Sequence, residues 1–182
     1  MRKTLGEAKR KKKSLSASLL KDLQSWAFPA SEWEANAVEE VKSLPVVKAF
    51  RPSDKELTWM RMLPQKCHTN AKLMEDNDPE SRSEWLTGWW VQDGNYVLHS
   101  IINQLGNYIC VTPTHLQTEN PFDFIFDEKI EWREEGEVHE AHRDGVRINN
   151  GLRSDPQQAL AELEKIREKL LAGDDPYKAF RK

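Results

Sequence analysis

The sequence predicts an α+β domain, with helices first, a small antiparallel sheet next and one closing helix. Three observations carry this. Leu15, Leu19, Leu20, Leu23 and Trp26 recur at helical spacing and make one apolar stripe. From Trp85 the pattern turns extended, and Asp93-Gly94-Asn95 and Leu105-Gly106-Asn107 break it into strands, because these residues tolerate the positive φ of tight turns. Asp155, followed by Pro156, then opens a second helical pattern through Ala159, Leu160, Leu163, Ile166, Leu170 and Leu171, which Gly173 ends.

The elements follow in order. Residues 1–14 contain the run Lys9-Arg10-Lys11-Lys12-Lys13 and read as a disordered basic arm, for which a contact with nucleic acid or an acidic partner is the functional alternative. Residues 15–62 form an N-terminal helical layer. Pro29 stops its first helix, and Ser31 caps a second through Ser43, with Glu32 and Glu34 near its positive end. The apolar run 45–50 is a strand or a packed linker. Ser53 caps a short third helix over 54–62, and Pro64 breaks the chain again.

Residues 63–172 are the α+β core. A helix over 67–74 carries Cys67 at its start, and the polar stretch around Asp78-Pro79 ends it. Strands over 89–91, 96–102 and 108–112 make a meander, to which 122–132 adds a fourth. Residues 134–150 are an exposed polar excursion with a short strand at 146–148, and 173–182 are a loose tail. The N-terminal helices and the Cys67 helix are expected to cover one face of the sheet. The Asp155 helix should cover an edge or the second face.

Composition bounds the function. A chain of 182 residues makes one ordinary domain, and a net charge of -3 with 31% charged and 38% apolar residues points to neither a nucleic-acid binder nor a membrane protein. No apolar run approaches the roughly 18 residues of a membrane span, and the basic start lacks the apolar segment of a secretory signal. A cytoplasmic location is expected. Cys67 and Cys110 are the whole cysteine supply, which suits free thiols in a reducing compartment better than a disulfide scaffold.

The candidate site starts from Cys67. At a helix start its thiolate is favoured by unsatisfied N–H groups and the helix dipole, and the same groups, with the Gln65 side chain, suit an oxyanion. On the strand 96–103 the alternation puts Val97, His99, Ile101 and Asn103 on one face. Turn parity adds Gly88, Trp90 and Gln92 from one side and Tyr108, Cys110 and Thr112 from the other. His99 thus sits amid apolar neighbours, where an ionisable ring needs a partner.

These residues, a helix-borne Cys67, a strand-borne His99 and then Cys110-Val111-Thr112-Pro113, resemble the core of transglutaminase-like and papain-like cysteine enzymes over residues 65–113. The resemblance implies that Cys67 is the nucleophile and His99 the general base. It puts an orienting acid at Cys110, where this chain has no carboxylate; Thr112, Asn103 or Asp123 are substitutes. Acyl transfer or hydrolysis of a protein or peptide-like amide is the implied reaction, without a cofactor, with Trp90, Asn70 and Asn103 against the substrate. Two other readings stand beside it. One is a zinc site from Cys67, His68, His99 and Cys110. The other is an interaction module without chemistry, offering Trp89, Trp90 and Tyr96 to a partner. His139-Glu140-Ala141-His142 lacks the four-residue histidine spacing of a zincin helix and reads as a charged loop.

Overall fold

The computed structural model describes residues 5–92, 94–114, 119–135 and 138–179 and has the α+β class expected. Two compact units divide it, Met1–Ala35 with Asp155–Lys182 and Asn36–Ser154.

The first unit is helical. It contains α1 (Leu5–Trp26), the start of α2 (Glu32–Lys42), and the C-terminal helices over 156–171 and 176–179. The basic run 9–13 lies inside α1 and not in a disordered arm. The helix over 156–171 is capped by Asp155, whose side chain accepts from Gln158 N, and has Pro156 in its first turn, as expected. Its apolar stripe, with Leu163, Ile166 and Leu170, packs on Leu19, Leu20 and Leu23 of α1. The expected loose tail instead has a helical turn over 176–179, with Pro176 and Ala179 buried.

The second unit builds the sheet. In chain order it has β1 (Val46–Ala49), α3 (Asp54–Trp59), α4 (Cys67–Asp76), β2 (Ser83–Gln92), β3 (Asn95–Gln104), β4 (Asn107–Ile109) and β5 (Phe122–Phe126). β6 (Ile130–Glu135), β7 (Val138–Arg143), β8 (Val146–Arg147) and β9 (Gly151–Arg153) follow. The main sheet runs β1-β5-β2-β3-β4, and β9 also pairs with β3. The meander is therefore present, but β5 returns to the far side of β2. The expected single strand over 122–132 is two, and the expected excursion is a three-stranded sheet, β6-β7-β8. His139 and His142 lie on β7, a strand and not a loop.

Register settles the faces. Gly88 opposes His99, Trp90 opposes Val97 and Asn103 opposes Tyr108, which is the parity derived from the turns. One face gathers Leu86, Trp90, Ile101, Cys110, Phe122 and Phe124 as a buried cluster. On the other, Leu57 of α3 and Ala71 of α4 pack with Met62 against Ile102 and Val111. Arg143 of β7 is buried and pairs with the buried Asp127 at 2.8 Å, tying the small sheet to the end of β5.

The outer edge of β3 is covered in two pieces. β9 pairs with Asn95 to Val97 and β4 with Ile102 to Gln104. Leu98 N bonds Asn150 O at 2.9 Å, so backbone groups of the same parity, Ser100 among them, point outward too. Among the described residues no strand pairs with 99–101 on that side.

Gly88 shows how closely the strands meet. A Cβ there would lie 2.0 Å from Ile125 O and 2.9 Å from the Phe124 ring. Gly88→Ala should therefore cost about 3 kcal/mol or prevent folding, measured as the urea midpoint; an unchanged midpoint would contradict the close approach.

Candidate active site

Cys67 is the first residue of α4, after an N-cap, Lys66, that makes no side-chain cap. The helix body packs on the face opposite His99, but its first residue reaches the open edge of β3. There the Ser100 backbone is close enough to the sulfur to favour the thiolate. The thiol is not the acid-shifted group expected from a helix start. Burial pushes it up to about 11, outweighing the Ser100 backbone, and neighbouring Cys110 adds to the rise.

His99 is buried on the aromatic face, its ring 5.4 Å from Trp90 and 6.0 Å from Phe122. Arg51, which the sequence reading missed, stands 5.2 Å over both aromatic rings. His99 Nε2 lies 3.3 Å from Cys110 Sγ, and the Cys110 thiol points to Thr112 O at 3.9 Å. If the S–H is turned to that carbonyl, the sulfur can receive the ring N–H. Nε2 then carries the hydrogen and the Nδ1 lone pair is free to take a proton. Cys110 thus stands beside His99, where the resemblance would put an orienting acid, and it brings no carboxylate. Burial, with the Arg51 and His68 charges, lowers His99 to about 3. Among the described residues no hydrogen bond joins Cys67 to His99.

The other expected site residues divide. Thr112 is buried and accepts from Asn70 Nδ2 at 3.1 Å. Asn70 also exchanges hydrogen bonds with Leu63 N and O at 3.0 and 2.8 Å, so it clamps the entry to α4 and is not free for a substrate. Asn103 bonds Glu84 at 3.1 Å and Gly106 N at 2.9 Å, which serves the β3–β4 turn. Trp90 is 9% exposed and packs on Phe122, a wall more than a contact surface. Gln65 is exposed with φ 60. Asp123 pairs with Lys48 at 2.6 Å and lies on the face away from His99. The zinc reading lacks its ligand set: among the described residues no three His, Cys, Asp or Glu side chains gather for one ion.

A polar network under α4 was not anticipated. Ser100 Oγ lies 2.7 Å from His68 Nδ1, 2.9 Å from Trp85 Nε1 and 3.1 Å from Thr87 Oγ1. Thr87 Oγ1 also accepts from Trp132 Nε1 at 3.0 Å, and the His68 ring packs 4.5 Å from the Trp132 ring. Burial lowers His68 to about 4. The pairing of Thr87 with Ser100 follows from the same parity that placed Gly88 opposite His99; Trp132 comes from a distant strand and left no local signal.

The resting site is therefore uncharged at Cys67, His68 and His99. For the histidines the sign is fixed: between the unfolded value of 6.5 and folded values of about 4 and 3, only the unfolded chain takes up protons. Stability is lost as pH falls through that window, by up to about 1.4 kcal/mol per pH unit for each ring. Nuclear magnetic resonance should find both rings unprotonated at pH 5, and titration near 6.5 would refute this. For the raised thiol the loss comes as pH rises from 9 towards 11, and alkylation of Cys67 by iodoacetamide should be alkaline-shifted over the same range.

No family model, curated protein or solved structure matches this chain, and among the described residues no helix is long and apolar enough to cross a membrane.

Proposed function

We propose that the chain is a cysteine-dependent acyl-transfer or amide-hydrolysing enzyme, working on a protein or peptide-like amide at the open edge of β3. The observation that carries this reading is the contact of His99 Nε2 with Cys110, which leaves Nδ1 as the base. The Cys67 sulfur, held near the Ser100 backbone and in the electrostatic range of Cys110, is its partner. Two free thiols suit a reducing, cytoplasmic compartment.

The chemistry is general-base and not that of a preformed ion pair. His99 Nδ1 takes the thiol proton as sulfur attacks the carbonyl carbon. The new S–C bond forms, the C–N bond breaks, and the same proton passes to the leaving amine. Water or a second amine then resolves the thioester. Catalytic hydrogen bonds commonly tighten only when substrate binds, and closing the Cys67–His99 gap is the step this mechanism requires.

A second reading, a binding module without chemistry, is favoured by a concave pocket of about 630 Å³ lined by Val47, Leu86, Tyr108 and Phe126 with Lys129 and Arg143, but by neither Cys67 nor His99.

p-Nitrophenyl acetate, a minimal acyl donor, separates the two. Intact-mass and peptide analysis should find one acetyl group on Cys67, absent in Cys67→Ser and slowed roughly 100-fold or more in His99→Asn. Acetylation of lysines alone, or of Cys110, would leave the binding reading in possession.

A further inference from the structure

The network around Ser100 has a direction. Indole nitrogens only donate, so Trp85 donates to Ser100 and Trp132 to Thr87. The Thr87 and Ser100 hydroxyl hydrogens remain to be placed, and both residues are buried. If Thr87 donates to Ser100, then Ser100 donates to His68 Nδ1 and each hydrogen has an acceptor. If Ser100 donates to Thr87 instead, the Thr87 hydrogen has no acceptor among the contacts described, an arrangement buried hydroxyls avoid. The first ordering holds. It makes His68 Nδ1 an acceptor and puts the ring hydrogen on Nε2.

Among the described residues that Nε2 makes no hydrogen bond, and His68 is half-buried and not enclosed in the core. His68 is also the neighbour of Cys67, and both are anchored on one residue, the ring on the Ser100 hydroxyl and the sulfur near the Ser100 backbone.

We infer that Thr87 and Ser100 are positioning residues that hold His68 as a neutral Nε2–H donor for the carbonyl oxygen of the acyl group attacked by Cys67. The inference rests on the cysteine-enzyme reading above and gives His68 the task first expected of Gln65. A neutral imidazole suits it. It offers a fixed donor to the developing oxyanion and keeps its Nε2 hydrogen at neutral pH. The ligand class follows: a carbonyl compound whose oxygen faces His68 beside the Trp132 ring.

Two measurements on the full chain test this. Nitrogen-15 shifts of the His68 ring at pH 7 should show a protonated Nε2 and a bare Nδ1; the reverse tautomer or an imidazolium overturns the inference without any mutation. In His68→Phe, which keeps a ring against Trp132, acetylation of Cys67 by p-nitrophenyl acetate should fall roughly 100-fold, while alkylation by iodoacetamide, which forms no oxyanion, changes by less than about twofold. Equal effects on both reagents, or none on acetylation, overturn the donor role. A wild-type Cys67 that is not acetylated sinks the cysteine-enzyme reading and this role with it, whereas acetylation that is indifferent to His68 sinks only the inference.

Discussion

The site depends on a short length of strand edge. Between β9 and β4 the outer side of β3 has no partner strand among the described residues, and its backbone still has hydrogen-bonding groups to satisfy. A bare edge of this kind invites pairing with another chain, and the start of α4 approaches it at Ser100. Placing α4 there brings Cys67 to Ser100, and the turn out of β4 brings Cys110 to His99. The constraint on the backbone thus decides which side chains meet.

Burial then decides their charge. Cys67, His68 and His99 are each pushed towards the neutral form, the thiol up and the rings down. A neutral site is cheap to bury, since each ring needs only ordinary partners: a thiol for His99 and a hydroxyl for His68. It also shapes the chemistry. A carboxylate beside His99 would favour an imidazolium, whereas the neutral Cys110 does not, so in the proposed reaction proton transfer belongs to the chemical step and not to the resting state.

The sequence carried the local parts of this arrangement. The turns at Gly94 and Gly106 fixed the register, and parity correctly put Gly88, Trp90, Tyr108 and Cys110 on the face of His99. Caps and stripes placed the long helices. What was not legible needed the chain to return from afar. The docking of β5 beside β2, the position of Arg51 over Trp90 and the arrival of Trp132 at Thr87 all join residues distant in sequence. The expected thiolate failed for the same reason: a helix start is a local signal, and the burial that opposes it is not.

The account turns on whether the Cys67 sulfur completes the edge of β3. Amide hydrogen exchange at Ser100 tests this most directly, with Leu98, bonded to Asn150, as the internal reference. If the sulfur shields that amide, replacing Cys67 with Ala should speed exchange at Ser100 by roughly tenfold or more and leave Leu98 unchanged. A Ser100 amide that exchanges at the same rate with and without the sulfur would contradict the account.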